Sequence, residues 1–233
     1  MDNDLNFETF LFVSEKKLII YVNSKADQQI YKKELILEET STELNFDILD
    51  YFLNENIFKI EKVIKGFVKK IILILDYREF FSIDVSIKKN NYEDILNLKS
   101  LNYLLYELKD YCKDSVYGAK ITHMIIKNYL IDKKSYSFFP ENMKCNSFSL
   151  DVRFICLPRN LIKKVEIILK KYQVSLNHVV NANYISEFLD KDENNIFLIT
   201  KKVIAGHNSN EVMLVNKIPK NQGFFEKFFS YLS

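Results

Sequence analysis

The stretch Lys70-Ile71-Ile72-Leu73-Ile74-Leu75 decides the fold. One lysine is followed by an uninterrupted aliphatic run that has the length of a β-strand and is too short for a typical helix. A strand that is apolar on both faces is typical of a sheet covered on both sides. The run therefore predicts a buried central strand.

Strand-like and helix-like patterns alternate on both sides of this run. Before it, the predicted elements are a hairpin of Phe10–Val13 and Leu18–Val22, a third strand over Ile30–Glu38, and an amphipathic helix over Phe46–Phe67 that is either continuous or broken near Asn54–Asn56. After it, we predict strands at Phe80–Ile87, Ile121–Ile131, Ser147–Leu157 and Val174–Val180, helices at Leu98–Tyr111 and Leu161–Tyr172, a helical turn at Ile185–Leu189, and a hairpin of Ile196–Thr200 with Val212–Val215. This alternation predicts an α/β or α+β fold.

Charge and cysteine content narrow the classes of function. The chain has 33 basic and 31 acidic residues, a formal charge of +2, so no basic field attracts nucleic acid. Cys112, Cys145 and Cys156 form no CxxC pair, which indicates a reducing compartment such as the cytosol. No export-signal pattern begins the chain, and no apolar run approaches the roughly 18 residues that span a bilayer. We expect a cytoplasmic protein whose membrane contacts are peripheral.

Residue patterns that would indicate catalysis are missing from the sequence. His123, His178 and His207 lie in separate segments without a carboxylate or thiol at metal-ligand spacing, and His123 is expected to be a packed strand residue. No nucleophile elbow, Walker sequence or HExxH motif occurs. We therefore expect no catalytic residue, no bound metal and no enzymatic activity.

Glycine content argues against a nucleotide cofactor. A phosphate cradle of backbone N–H groups needs close approach and positive φ, and glycine supplies both. The chain has four glycines, Gly66, Gly118, Gly206 and Gly223, and no two are close together in sequence. We therefore expect that no cofactor is bound.

Thr122–Asp132, with the sequence THMIIKNYLID, carries a family resemblance. It is similar to a motif of the actin-like cell-division protein FtsA, and His123, Tyr129 and Asp132 fall at matching positions. Pro140–Met143 resembles the P-x-G-M sequence that follows in the family. This part of the chain therefore resembles the strand–helix–strand–strand subdomain that is inserted into the actin fold of FtsA.

The resemblance extends to both sides of that motif and implies an organisation for the whole chain. Phe10–Glu38 resembles the opening strands of an actin-like domain, and Leu161–Val180 resembles the helix and strand after the motif. The implied fold is a partial actin-like domain with an insertion. Its parts are a first part of the actin-like domain over 1–78, the inserted subdomain over 79–182, a return to the actin-like domain over 183–216, a linker over 217–222 and an amphipathic C-terminal helix over 223–233.

Departures from the family pattern concern the nucleotide and the division partner. The first phosphate hairpin of the family carries an acidic residue followed by Gly-Thr, where this chain has Val13-Ser14-Glu15-Lys16. The second is glycine-rich, whereas Ile199–Asn210 keeps one glycine. The second actin-like half, which in the family carries much of the contact with FtsZ, would start where this chain ends. These departures argue against ATP binding and direct capture of FtsZ.

The final segment, Gly223–Ser233, separates completely into two faces on a helical wheel. Its apolar residues are Phe224, Phe225, Phe228, Phe229, Tyr231 and Leu232. FtsA proteins also end in a linker and a membrane-targeting helix, so one interpretation is a membrane-binding helix assisted by Lys220 and Lys227. The other is a terminal helix packed on the domain's own core. A single short anchor binds weakly, so self-association would strengthen it.

The sequence thus predicts a non-catalytic, FtsA-like cell-division scaffold or membrane tether. Its expected partners are the inner face of the cytoplasmic membrane, other cell-division proteins and further copies of itself. One alternative is an ATP-binding actin-like switch, and another is a pilus-assembly-type cytoplasmic protein with the same insertion. A nucleic-acid-binding module is opposed by the near-neutral charge and by the lack of an aromatic–basic stacking face.

Overall fold

The protein is described from a computed structural model, in which residues 7–37, 44–190 and 194–213 are described. Within these ranges the chain divides into two compact units. The first unit comprises the residues up to Glu79 together with Arg159–Lys201. The second unit comprises Phe80–Pro158 and the residues from Lys202 onward.

Strands and helices alternate along the chain. In order they are β1 (Phe7–Ser14), β2 (Lys17–Ser24), β3 (Gln29–Ile36), α1 (Phe46–Ile64), β4 (Lys70–Asp76), β5 (Phe81–Asn90), α2 (Leu98–Ser115), β6 (Ala119–Ile131), β7 (Lys134–Tyr136), β8 (Ser147–Pro158), α3 (Arg159–Lys171), β9 (Ser175–Asn181), α4 (Ala182–Ser186) and α5 (Ile196–Ile204). The α/β class predicted from the sequence is confirmed.

The first unit contains a five-stranded mixed sheet in the order β3-β2-β1-β4-β9. The hairpin of β1 and β2 continues antiparallel into β3, whereas β4 runs parallel to both β1 and β9. Ile71 and Leu73–Leu75 of β4 are completely buried. The central strand predicted from the aliphatic run is therefore confirmed.

Both faces of this sheet are covered, which explains why its central strands are apolar throughout. Phe10 and Tyr21 contact Phe197 of α5, and the rings of Tyr21 and Phe197 stack at 4.4 Å between centroids. Their neighbours Leu11 and Ile20 point to the opposite face because side chains alternate along a strand, and both are fully buried. Helices α1 and α3 pack against each other and against strands of this sheet.

Helix α1 is continuous, so the optional break near Asn54–Asn56 is not observed. The side chain of Asn45 accepts hydrogen bonds from two backbone N–H groups of the first turn, and Lys65 ends the helix with a left-handed backbone. Asn56 is accommodated inside the helix because its amide donates to the carbonyl of Phe52 and accepts from the hydroxyl of Tyr31.

The second unit contains an antiparallel sheet in the order β5-β8-β6-β7. Helix α2 covers one face, and its apolar positions Leu101, Leu104, Leu105 and Leu108 are buried in one core with the inward residues of β6 and β8. β8 shows an alternating pattern of buried and half-exposed residues over its first half. One face of this sheet is therefore polar.

The outer edge of β6 is occupied by two short segments of chain. β7 pairs with Tyr129–Ile131, and Asn210–Val212 pairs beside Met124–Ile126. The N–H of Ile126 donates to the carbonyl of Asn210, and the N–H of Val212 donates to the carbonyl of Met124. The sequence did not predict β7, which is only three residues long.

The structure corrects the predicted hairpin of Ile196–Thr200 and Val212–Val215. The first half belongs to helix α5, which begins after Asn195, whose side chain accepts from the N–H of Phe197. In the second half, Val212 lies beside β6 instead. The second phosphate hairpin that the resemblance implied over Ile199–Asn210 is therefore helical in its first part.

The structure also places the segment after β8 differently from the implied domain boundaries. The resemblance implied an insertion over 79–182. In the structure, the continuous segment of the second unit ends at Pro158, and Arg159–Lys201 belongs to the first unit. The reason is that β9 pairs with β4, and α3 packs with α1, so both elements belong to the first unit.

Candidate functional site

The parallel strands of the first unit end at a location where α/β sheets commonly bind ligands. After β1 the chain turns to β2 on one side, whereas the connection through α1 returns to β4 on the other side of β1. Such a topological switch point opens a crevice at the carboxyl ends of the strands. Here Ser14 of β1 lies in register with Asp76 of β4.

In the turn after β1, backbone N–H groups donate hydrogen bonds to a side chain of the same turn. The hydroxyl oxygen of Ser14 accepts hydrogen bonds from the N–H groups of Lys16 and Lys17, at 3.3 and 3.0 Å, and donates to the carbonyl of Lys17. A phosphate cradle needs such N–H groups to point at the ligand. The side chain of Ser14 therefore occupies the position that a phosphate oxygen would take in this turn.

An ion pair connects the residues that follow the carboxyl ends of β1 and β4. The Nε of Arg78, just after β4, lies 2.8 Å from the Oε2 of Glu15, just after β1. Glu15 is buried although it follows a surface turn. Asp76 lies nearby in register, so this edge carries the carboxylates of Glu15 and Asp76 and the guanidinium of Arg78, beside the two lysines of the turn.

The histidines do not form a reaction centre in the described part of the chain. His123 is fully buried, and its Nδ1 lies 3.2 Å from the Oε2 of Glu211, which is also buried. The other oxygen of Glu211 accepts from the N–H groups of Met124 and Met213. Burial lowers the pKa of His178. The expectation that His123 is a packed strand residue is confirmed.

No group of three potential metal-ligating side chains occurs within residues 7–37, 44–190 and 194–213. The three cysteines are all buried, and burial raises the thiol pKa of each, most strongly for Cys156, to about 11. A thiol with a raised pKa is a poor nucleophile at neutral pH.

The outward face of α2 carries exposed aromatic and acidic side chains. Tyr103, Tyr106 and Tyr111 are 60%, 49% and 64% exposed, and with Glu107 and Asp110 they line an open cavity of about 330 Å³. The ammonium group of Lys89 lies 4.9 Å from the centre of the Tyr103 ring. We call this set of five α2 residues the tyrosine face. A cation is thus already bound at one of its rings.

The polar face of the second unit's sheet is cross-linked by side chains. Arg153 forms two hydrogen bonds with Asp84, at 2.7 and 2.8 Å, and Asp151 accepts from Ser86 and Asn128. The arginine and the acids satisfy one another, and these strand residues offer no ring on which a base would stack. This face does not resemble a single-stranded nucleic-acid platform.

The membrane-binding residues predicted from the sequence lie outside the described residues. These are Phe224, Phe225, Phe228, Phe229, Tyr231, Leu232, Lys220 and Lys227. Among the helices of the described ranges, none combines the length and the apolar character needed to cross a bilayer. The predicted tail stays a prediction.

Comparison with known proteins gives one distant relative in sequence. No family model matches. The chain is 25% identical over 158 residues to the uncharacterized protein MG366 of Mycoplasma genitalium, which covers 60% of this chain and 23% of that protein. The chain therefore spans less than a quarter of the length of this relative.

Comparison with solved structures gives partial similarities to larger chains. A chain of the PilM–PilN type IV pilus biogenesis complex matches with a TM-score of 0.49 and 7% identity, covering 78% of this chain and 49% of that chain. The cytoplasmic domain of EpsL, from the type II secretion system of Vibrio cholerae, matches at 0.37 and 13%, covering 77% and 57%. A Bacteroides thetaiotaomicron protein with an actin-like ATPase fold and unknown function matches at 0.32 and 12%, covering 81% and 58%.

Sequence reasoning did not identify the tyrosine face. The leucines on the buried side of α2 predicted the helix. The residues on its exposed side were not considered as a binding surface. The signal was present, because Tyr103, Glu107 and Tyr111 recur at four-residue steps, with Tyr106 and Asp110 beside them.

Proposed function

We propose that this chain is a non-catalytic, actin-like scaffold of the cell-division type that joins partner proteins at the inner face of the cytoplasmic membrane. The structure of the turn after β1 supports the proposal that the protein is not a catalyst. Its N–H groups bind Ser14, and Glu15 is held there by Arg78, so the place where an actin-like protein would hold phosphate is filled by protein groups.

The cell-division part rests on the resemblance of Thr122–Asp132, whose matching residues all have structural roles in the second unit. His123 binds Glu211, and Tyr129 is buried in the core. Asp132 accepts hydrogen bonds from the N–H groups of Asn146 and Ser147 and thereby fixes the approach to β8. These contacts lower the pKa of the Asp132 carboxyl. The motif thus supports the second unit as a folded platform for partners.

The tyrosine face supplies the surface on which a partner would bind. Tyrosine rings are large, rigid and amphipathic, and they are enriched at the energetic centres of interfaces. Glu107 and Asp110 add negative charge between the rings. The chemistry that fits is a partner segment with lysine or arginine side chains, which would lie over the rings and pair with the carboxylates.

Recovery of partners from cells tests this proposal. We expect tagged full-length protein to recover cell-division proteins after cross-linking, and we expect a Glu107→Lys, Asp110→Lys variant to recover at least about tenfold less. The matched control reverses two exposed acids of the same unit, Glu93→Lys with Glu141→Lys, and should recover partners as the unchanged protein does. Recovery of pilus or secretion components instead would overturn the assignment to cell division.

Calorimetry and vesicle binding test the remaining parts. Titration with ATP and magnesium is expected to give no binding heat, and micromolar binding would overturn the non-catalytic assignment. Full-length protein is expected to sediment with vesicles that contain anionic lipid, whereas a chain ending at Gln222 is expected to stay in solution. Equal sedimentation of both would remove the membrane tether.

A further inference from the structure

Strand β5 forms an open edge of the sheet in the second unit. It is ten residues long and pairs along its whole length with β8, and on its other side the described residues provide no strand. None of its ten residues is buried, although its neighbour β8 is largely buried. A long edge strand offers a row of backbone donors and acceptors to another chain.

The two faces of β5 differ in chemistry. Ile83, Val85 and Ile87 pack only partly against the core beneath α2, so part of their apolar surface faces water. Asp84 and Lys88 lie on the opposite face, because side chains alternate along a strand. A partner strand laid along β5 would cover the aliphatic residues and would meet both charges.

We propose that β5 pairs antiparallel with β5 of a second copy of this chain, with Ser86 opposite Ser86 on the two-fold axis. In this register Asp84 lies opposite Lys88 of the other copy, and by symmetry the same pair forms twice. Val85 lies opposite Ile87 on the other face, also twice. The two four-stranded sheets become one continuous eight-stranded sheet.

The charges select this register over its neighbours. With Val85 or Ile87 on the axis, Asp84 would lie opposite Ser86 or Asn90 and would gain no ion pair. With Asp84 or Lys88 on the axis, like charges would lie directly opposite each other, which is destabilising. Only the arrangement centred on Ser86 places both opposite charges together.

One of the two charges is held in position by a neighbouring strand of the same sheet. Two hydrogen bonds from Arg153 fix the carboxylate of Asp84. The ammonium group of Lys89 lies over the ring of Tyr103 and is thereby drawn to the α2 face of the sheet. Edge strands usually carry lysine to discourage pairing with other chains. On this edge, Lys88 meets a carboxylate when the incoming strand is β5 itself.

The inference adds self-association to the proposed scaffold, but it concerns residues 80–158 alone and needs neither a membrane nor a partner protein. One added strand pair buries less area than a standard stable interface, so we expect a dissociation constant of roughly micromolar to tens of micromolar. A monomeric protein that still binds vesicles and division proteins would refute the pairing and leave the proposed function intact.

Sedimentation velocity of the full-length chain, over a concentration series without lipid, provides the first test. Lys88→Glu places two like-charged pairs in the interface and is expected to weaken the dimer at least tenfold. Lys89→Glu makes the same change of charge on the same strand, but opposite Ile83, and is expected to change the dimer less than about threefold. A monomer at all concentrations up to about ten times the expected constant, or equal weakening by both variants, would overturn the pairing.

Complementation between two variants sharpens this test. Asp84→Lys and Lys88→Glu should each dimerise at least tenfold more weakly alone, since each places like charges opposite each other. Mixed together, they should form a heterodimer in which both cross-strand pairs are again opposite in sign. If the mixture stays monomeric while the unchanged protein dimerises, the dimer uses another register or surface.

Thiol cross-linking reports the register itself. Directly opposite residues of an antiparallel pair have Cβ atoms about 4.5–5.5 Å apart, close enough for a short cross-linker. Ser86→Cys should therefore link two copies, whereas Ser82→Cys, opposite Asn90, should not. The native cysteines are all buried and should not interfere. Linking of both variants, or of neither, would overturn the proposed register.

Discussion

The two sheets of this protein differ in how their strands are buried. β4 of the first unit is buried at five consecutive positions, whereas β8 of the second unit alternates between buried and half-exposed residues over its first half. A sheet covered on both faces leaves its strand ends for ligands, and in the first unit that place is filled by Ser14, Glu15 and Arg78. A sheet covered on one face keeps its other face available to other proteins. This difference is consistent with the proposal that the second unit binds other proteins.

The largest expected effect concerns the buried pair of the second unit. Glu211→Ala would remove the carboxylate acceptor shared by His123 and the N–H groups of Met124 and Met213, and each buried donor that is left unsatisfied costs about 1–3 kcal/mol. The free energy of unfolding from urea denaturation measures this. Glu211→Gln keeps one acceptor oxygen and should cost clearly less. A loss below about 1 kcal/mol for the alanine variant would show that this pair does not hold the edge of β6.

The next effect compares the two sheets directly. Leu73→Ala in β4 removes a fully buried side chain and is expected to cost about 2–5 kcal/mol. Val85→Ala in β5 removes a half-exposed side chain and is expected to cost about 1 kcal/mol or less, because less apolar area is lost. Thermal and urea unfolding of both variants measure the difference. Equal costs would contradict the view that the edge of β5 is open.

Strand β4 and helix α1 of the first unit were predictable because their sequence patterns each fit one kind of element. An aliphatic run such as Ile71–Leu75 has the length of a strand, and the spacing of Leu49, Leu53, Ile57 and Ile60 fits only one face of a helix. What the sequence could not give is which strands pair. The pairing of β9 with β4 places α3 and β9 in the first unit, and that choice depends on contacts over long sequence separations.

Helix α5 was predicted as a strand because its first residues, Ile196–Thr200, are β-branched, aromatic or leucine. Tertiary packing decided otherwise: Phe197, Thr200, Val203 and Ile204 are buried at helical spacing, and Phe197 stacks on Tyr21. The missed signal was Asn195, which caps the first turn through its side chain. Of the candidate site, the stretch Val13–Lys16 was considered because the resemblance aligns it with a phosphate hairpin, but the burial of Glu15 against Arg78 could not be inferred from spacing.

The smallest expected effect is a dependence on pH. The pKa of Asp50 in the first unit is lowered by hydrogen bonds from Lys171 and Tyr172, and the pKa of Asp84 in the second is lowered by Arg153. A carboxyl group whose pKa falls on folding stabilises the protein above its ordinary value, here 3.8, and this stability is lost as the pH drops through the lowered folded value.

Asp50→Asn and Asp84→Asn should therefore each make melting temperature less sensitive to pH below about 4, with little change in slope near pH 7. Each effect should stay under about 1 kcal/mol because water screens these ion pairs. Lys171→Met removes the same pair from the other side, so combining it with Asp50→Asn should add little. Full additivity would show that Asp50 and Lys171 act independently.

The segment that covers the edge of β6 has a consequence for the order in which the protein is made. Glu211 reaches His123 across 88 positions of sequence, so β6 leaves the ribosome long before the residues that complete it. Closing so long a loop costs entropy and slows formation of the contact. Until Asn210–Val212 has been synthesised, the backbone N–H and C=O groups of Met124–Ile126 that it pairs with lack this partner. A nascent chain that stalls before Asn208 would expose these groups to pairing with any neighbouring polypeptide.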